Sequence, residues 1–240
     1  MRTANPALKA NVFQGSAAVP GAQSMTIEGT TNKTFLLLML TVFSASWVWN
    51  HLADFQPFLF PALILGLIIG IVTVFKKQWA PVTAPLYAAV QGVVLGVISA
   101  VVEQQYQGIV MQAVGLTFGT LFALLFAYKS GLIKVTQNFR LGVVAATGGI
   151  MVVYLISFGM RLFGLQMPFI HESGIVGIGF SLFVVVIAAL NLVLDFDFIE
   201  RGAEYGAPKY MEWYGAFGLI VTLIWLYIEI LRLLAKLQRR

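Results

Sequence analysis

Acidic side chains within apolar segments are the residues of this sequence whose types and positions could do chemistry. The chain contains ten Asp and Glu among 240 residues, of which 59% are apolar or aromatic. Asp195, Asp197 and Glu229 lie in or at the ends of long apolar stretches, and Asn191 and Thr222 add polar groups to the same stretches. An acid that cannot reach water is rare inside a membrane and commonly marks an ion or proton path. The chemistry predicted for these residues is therefore the movement of protons or cations.

Helical spacing groups part of the sixth apolar segment on one face. At 100° per residue, Ser181, Ala188 and Asp195 stack on that face, and Asn191 lies nearby. Asp197 is rotated about 200° from Asp195, so the two carboxylates cannot share a face of a regular helix. Asp197 is instead placed to pair with Arg201 at i,i+4.

The last apolar segment carries a polar stripe. Its five members, at spacings of 3, 4, 3 and 4, are Thr222, Trp225, Glu229, Arg232 and Lys236. Charges on a lipid-exposed stripe cost about 2.5–3.5 kcal/mol each at the helix centre, so the stripe should face protein or water. Glu229 can pair with Arg232 at i,i+3, and Arg232 and Lys236 are close enough to the end to snorkel. Arg161 is a further candidate counter-charge, which we expect to snorkel to the membrane surface.

Enzymatic chemistry is not predicted. Cysteine is absent, and the two histidines, His51 and His171, are too few for a histidine-based zinc site. Ser181 has no histidine within an apolar segment to act as its base. Phosphate-binding glycine motifs are also missing, so these residues predict no resident cofactor.

The apolar composition predicts an all-α membrane protein. Charged residues make up only 10% of the chain, which excludes a soluble fold and a nucleic-acid-binding domain despite the net charge of +5. A spanning helix needs about 20 mostly apolar residues. Seven windows meet or nearly meet that rule: 35–52, 58–75, 82–102, 108–128, 141–165, 174–194 and 214–237. We therefore predict a seven-helix transmembrane domain over residues 34–240, preceded by a flexible polar tail over residues 1–33.

The basic residues predict a multi-pass protein with a cytoplasmic N-terminus. Ten Lys and Arg fall in the tail and the connections on its side, and five fall on the other side. With seven full spans the basic C-terminus then lies outside. Either the last segment is re-entrant, or it is a central helix whose orientation is dictated by packing.

Three G-x-x-x-G pairs lie inside the predicted spans. Glycines four residues apart form a flat strip that allows close approach of two helix backbones. We interpret them as packing within the bundle, with a homodimer face as the alternative. The pairs are Gly66–Gly70, Gly92–Gly96 and Gly115–Gly119.

The last two segments resemble the Bax inhibitor-1/YccA family, also called transmembrane Bax inhibitor motif proteins. The resemblance rests on Leu-Asp-Phe-Asp-Phe-Ile at 194–199, the polar segment at 202–214, and the ending Ile-Leu-Arg-Leu-Leu at 230–234. The seven-helix layout of the family fits about residues 30–237. The last two segments look like a bacterial branch of the family, which implies the inner (plasma) membrane. The resemblance also implies six helices surrounding a central C-terminal helix, and a pH-sensitive calcium leak gated by protonation of buried carboxylates.

The resemblance assigns roles to particular positions and shows one departure. In the family, an aspartate of the sixth helix pairs with an aspartate of the seventh. The first matches Asp195, whereas alignment of the endings at Arg232 puts Thr222 at the second position. Thr222 can hydrogen-bond but cannot titrate. We hypothesise that Asp195 bonds Thr222, and that Glu229 supplies the second charge while Asn191 adds an oxygen for weak Ca²⁺ binding.

Two other functions remain open at this point. One is a non-conducting membrane regulator that binds a membrane-anchored quality-control protease through the tail at 1–33. The other is a proton-coupled transporter, although the two halves of the chain show no convincing repeat. The expected partners are the lipid bilayer, Ca²⁺ or H⁺ and, for the regulator, the protease, with no nucleic acid.

Overall fold

Seven long helices make up the structure, a computed structural model that describes residues 24–164 and 174–239. A helical turn at Leu52–Phe55 and a 3-10 turn at Gln56–Phe58 lead into the second helix, and a 3-10 turn at Lys77–Trp79 precedes the third. Each predicted window falls mainly on one helix, and no strand occurs in the described ranges, which confirms the all-α fold. The helices are α1 (Ile27–Asn50), α2 (Leu59–Phe75), α3 (Ala80–Gln105), α4 (Ile109–Lys129), α5 (Gln137–Leu162), α6 (Ile175–Glu204) and α7 (Met211–Gln238).

The outer surface of the bundle is apolar, as a bilayer requires. Six helices of the described chain, α2 to α7, are long and apolar enough to cross a membrane. The first two turns of α1 are polar, but its remaining length exposes large side chains such as Phe35, Phe43 and Trp47. Large apolar side chains in contact with water would drive aggregation, so this surface is covered by lipid.

The helices alternate in direction. The Met25 N–H donates to the Ala207 carbonyl at 2.6 Å, so the start of α1 lies beside the connection between α6 and α7. We call this end of the bundle end A, and the opposite end, where α7 finishes, end B. At end B, the Lys236 ammonium of α7 reaches the Gly177 carbonyl near the start of α6, 2.9 Å away. The last helix is thus continuous between the two ends, which removes the re-entrant alternative.

The C-terminal helix is the centre of the bundle. Within an apolar stretch of 18 residues, 61% of the residues are buried in α7, but only 11% are buried in the segment that contains α2. Helices α1, α3, α4 and α6 pack directly on α7, and α5 reaches it through Tyr154. Helix α2 packs mainly on α3, so it forms part of the outer layer. This arrangement confirms the central C-terminal helix.

A buried carboxylate at end A joins the start of α1 to α7. Glu212 is completely buried and accepts hydrogen bonds from the N–H and the hydroxyl of Thr26, both at 2.9 Å. Glu212 also forms ion pairs with Lys209, at 2.9 Å, and with Lys33. Helix α1 therefore begins within the predicted tail, because these contacts fix residues 24–33. Residues 1–23 of that tail lie outside the described residues.

The glycine strips divide into two groups. A Cβ on Gly92 would lie 2.5 Å from the Thr41 carbonyl oxygen, and one on Gly96 would lie 2.7 Å from the Ala45 carbonyl oxygen. These glycines therefore let α3 approach the backbone of α1. Gly66 and Gly70 similarly face α3, which confirms packing within the bundle for two strips. At Gly115 and Gly119 of α4, a Cβ would meet no described atom within 4 Å, so the packing interpretation is wrong there.

This contrast gives a test of the α1–α3 contact. Gly92→Ala should lower the thermal unfolding temperature in detergent, because overpacking costs about 1–3 kcal/mol. Gly115→Ala is the matched control, since it makes the same change in a helix with open space around the new methyl group. Equal unfolding temperatures for the two variants would show that the close approach is unimportant.

Candidate functional site

Two polar contacts fix the register between α6 and α7. The Thr222 side chain lies beside the Asp195 carboxyl, and the Lys236 ammonium lies 2.8 Å from the Ser181 hydroxyl. The two contacts are 14 residues apart on α6 (195 − 181) and 14 residues apart on α7 (236 − 222), so both fit one antiparallel register. In this register Ala188 of α6 lies opposite Glu229 of α7, halfway between the two contacts. We call this contact line the α6–α7 seam, and its members are Ser181, Ala188 and Asp195 of α6 and Thr222, Glu229 and Lys236 of α7.

Asp195 is the most isolated acid of the seam. Its side chain is buried, and one carboxyl oxygen, Oδ2, has no hydrogen-bond partner in the described part of the chain. The other oxygen, Oδ1, lies 4.0 Å from the position that a Cβ on Gly218 would occupy. A buried polar atom without a partner costs about 1–3 kcal/mol, and such atoms in native proteins need a functional or structural reason.

Thr222 links Asp195 to the backbone of α7. Its hydroxyl donates to the Gly218 carbonyl at 3.2 Å, one turn earlier in the same helix. A hydroxyl has a single proton, so it can donate either to that carbonyl or to the Asp195 carboxylate. The structure therefore places Thr222 beside Asp195 with its hydroxyl on the Gly218 carbonyl, and a bond from Thr222 to Asp195 stays a hypothesis.

Glu229 lies on the seam about 10 Å further along α7 than Thr222. It is buried, and its Oε1 accepts from Arg232 at 3.0 Å, which confirms the predicted pair. The Tyr154 hydroxyl of α5 donates to the same oxygen at 2.9 Å. Arg232 also contacts that hydroxyl at 2.7 Å and stacks over the Tyr154 ring. The carboxylate is thus held by one cation and one hydroxyl.

Asp197 faces away from the seam, as its rotation predicts. Its Oδ1 pairs with Arg201 at 2.9 Å, which confirms the i,i+4 pair. Its Oδ2 pairs with Arg140 of α5 at 2.5 Å. Asp197 therefore ties the end of α6 to the start of α5 at end A, and a part for it in an ion path stays a prediction.

Asn191 points to α5 rather than along the seam. Its amide donates to the Thr147 hydroxyl and to the Ile187 carbonyl, each at 2.8 Å. Because Asn191 and Glu229 are held elsewhere, the oxygens proposed for Ca²⁺ do not converge around Asp195. Among residues 24–164 and 174–239, no three His, Asp or Glu side chains are close enough to hold a metal ion.

The basic residues near end B differ from one another in orientation. The Arg161 side chain is exposed and forms an ion pair with none of the described acids, which agrees with snorkelling. Lys236 instead turns inwards and is only 6% exposed, so the expectation that it snorkels is wrong. Its partners, the Gly177 carbonyl and the Ser181 hydroxyl, lie within hydrogen-bonding distance and replace water. His171 lies outside the described residues.

Three partners of the buried acids have a weak sequence signal or none. In the sequence, Arg140 lies in a predicted connection, Tyr154 in an apolar span, and Lys33 in the polar tail. A tyrosine within an apolar span is a weak signal of a buried hydrogen bond. For the two basic residues no local signal exists, because their acids are 57 and 179 residues away.

A separate apolar cavity lies on the side of α7 away from α6. Its volume is about 340 Å³, and helices α1, α3, α4 and α7 line it. A hydrogen bond of 2.7 Å joins the hydroxyls of two lining residues, Ser99 and Tyr227. These two hydroxyls of the cavity are thus paired, whereas the seam contains the acid with an oxygen that has no described partner.

Comparison with known families agrees with this architecture. No curated protein matches the chain. The sequence model of the family described as Bax inhibitor 1 like matches residues 5–239, almost the whole chain. The match includes all seven helices and the α6–α7 seam. This helical membrane protein therefore belongs to the Bax inhibitor 1 like family.

Proposed function

We propose that this protein is a pH-sensitive cation leak for which Ca²⁺ is the transported ion. The α6–α7 seam is the proposed path, and protonation of Asp195 is the proposed switch. The observation that carries the proposal is the buried Asp195 carboxyl with one unpartnered oxygen at the centre of a membrane-spanning bundle. Intramembrane acids of this kind are typical of ion paths and proton relays.

A proton on Asp195 would change the hydrogen bonding of α7. Protonated Asp195 can donate to Thr222, which leaves the threonine proton on the Gly218 carbonyl. Ionised Asp195 accepts the Thr222 proton instead, so the Gly218 carbonyl loses its side-chain donor. One titrating acid can therefore switch the seam without the second aspartate of the family pair. The released carbonyl oxygen and the carboxylate are both ligands that Ca²⁺ accepts.

The next group along the proposed path is Glu229. Its pairing with Arg232 and Tyr154 lowers the cost of burying the carboxylate in the seam. Of the proposed oxygen ligands, Thr222 lies beside Asp195 and Glu229 lies about 10 Å further along the seam. Asn191 turns to α5, so these oxygens do not form one closed site. Calcium would therefore meet Asp195 and Glu229 in succession, which suits weak binding and passage. No resident cofactor and no catalytic step are part of the proposal.

We also propose that end A faces the cytoplasm and that the membrane is the inner, or plasma, membrane. Most basic side chains of the described ranges lie at end A, and the positive-inside rule assigns that end to the cytoplasm. They are Lys33, Lys76, Lys77, Lys129, Lys134, Arg140, Arg201 and Lys209. The C-terminus of the central α7 then lies outside, because packing rather than charge sets its direction.

Replacement of Asp195 tests the switch. Asp195→Asn keeps the size of the side chain but cannot change charge, so Ca²⁺ flux into liposomes should become independent of pH from about pH 5 to about pH 8. The flux is measured with a calcium dye sealed inside the vesicles. Asp54→Asn, at an exposed acid, is the control and should keep the wild-type profile. A pH-dependent flux in Asp195→Asn would contradict the proposal.

The same assay separates the leak from the alternative function. If wild type and both variants show only the background of empty liposomes, the leak is wrong. The non-conducting regulator of a membrane-anchored protease then becomes the better hypothesis, and residues 1–23 are the segment to delete in a binding test.

Replacement of Thr222 tests the coupling to the backbone. Thr222→Val keeps the branched shape but removes the hydroxyl, so the pH-dependent part of the flux should fall several-fold. Thr222→Ser retains a hydroxyl and should stay close to wild type. Equal pH dependence in the two variants would show that the hydroxyl does not transmit the protonation of Asp195.

The orientation can be tested with single cysteines, because the natural chain has none. Lys134→Cys lies in the exposed connection at end A, and Gln107→Cys lies in the exposed connection at end B. In intact spheroplasts, a membrane-impermeant maleimide should label Gln107→Cys and leave Lys134→Cys unmodified until the cells are lysed. The reverse pattern would invert the proposed orientation.

A further inference from the structure

At end B, the α6–α7 seam finishes at a charged side chain of the protein itself, Lys236. Lys236 is 6% exposed, although it lies only two residues before the end of α7. Its ammonium donates to the Gly177 carbonyl at 2.9 Å and to the Ser181 hydroxyl at 2.8 Å. Both acceptors belong to the first two turns of α6, so the lysine closes the contact between the two helices.

The inward direction of Lys236 is unusual for its position. A lysine near the end of a spanning helix ordinarily extends its four-carbon stem to place the ammonium in water. A buried ammonium loses hydration, and the Gly177 carbonyl and the Ser181 hydroxyl are among the groups that replace it. Anchoring α7 at the surface would not require this arrangement, because Arg239, one turn further, is exposed and can serve that purpose.

The position of Lys236 relative to the acids gives the charge a specific consequence. Asp195 with Thr222, then Glu229, then Lys236 follow one another along the seam at intervals of seven residues, about 10 Å each. A cation that moves along the seam from Asp195 towards end B therefore reaches the ammonium last. There it meets a like charge that already holds the available oxygens.

We propose that Lys236 is a tethered cation that closes the end B opening of the seam and limits the leak. This inference rests on the proposed function. The ammonium takes the place of a permeating ion, since a carbonyl and a hydroxyl oxygen are ligands that Ca²⁺ would also use. It also repels any cation that approaches through the low-dielectric interior. Arg232, one turn before it, is balanced by its ion pair with Glu229, so the proposed repulsion comes from Lys236.

Charge removal at Lys236 is the test. Lys236→Gln keeps an amide donor for the Gly177 carbonyl but removes the charge, so Ca²⁺ flux in liposomes should rise about tenfold, because a like charge at the opening of the path is lost. Lys236→Arg keeps the charge, so its flux should stay well below that of Lys236→Gln. Arg239→Gln makes the same change of net charge at an exposed position of the same end and should remain at the wild-type level.

The variants distinguish this inference from the proposed function. Higher flux in Lys236→Gln than in wild type supports the tethered cation, even if wild type is almost silent. Equal or lower flux in Lys236→Gln, with a pH-dependent leak in wild type, overturns the inference and leaves the proposed function standing. Background flux in wild type and Lys236→Gln alike, with matching circular dichroism and gel-filtration profiles, overturns both.

Discussion

The requirement that every charge of α7 be kept away from lipid determines how the bundle is built. Glu229, Arg232 and Lys236 lie on one stripe of a helix that crosses the membrane, and each would cost about 2.5–3.5 kcal/mol if it faced the hydrocarbon at the helix centre. The helix therefore takes the central position, with four helices packed directly on it and α5 in contact through Tyr154. The polar stripe of α6 meets it in a regular antiparallel register.

Burial of the charges has different consequences at the two ends of the bundle. At end A, Glu212 and Asp197 each receive two basic partners, and these ion pairs connect the start of α1 and of α5 to the central helices. At end B, Lys236 is held by a carbonyl and a hydroxyl of α6. Between the ends, Asp195 retains a carboxyl oxygen without a described partner. The polar groups at the ends thus hold the bundle together, and the central one is free to change its hydrogen bonding.

Several features of the site could be predicted from the sequence because they depend on spacing along a single helix. The 100° rotation per residue places Ser181 and Asp195 on one face, puts Asp197 on another, and brings Glu229 to Arg232 and Asp197 to Arg201. The contacts of Arg140, Tyr154 and Lys33 could not be predicted, because they join residues of different helices. Nothing in the local pattern states which helices are neighbours, and the packing interpretation of Gly115–Gly119 was wrong for the same reason.

The helices, their faces, their membrane character and the family resemblance could thus be inferred from the chain alone, since hydrophobic length and helical periodicity are properties of consecutive residues. The packed bundle was needed to show that α7 is continuous and central, that Asn191 turns to α5, and that Lys236 turns inwards instead of snorkelling. The difference arises because a long polar side chain has several partners within reach. Its choice depends on which atoms the neighbouring helices bring to it, and that is fixed only when the whole bundle packs.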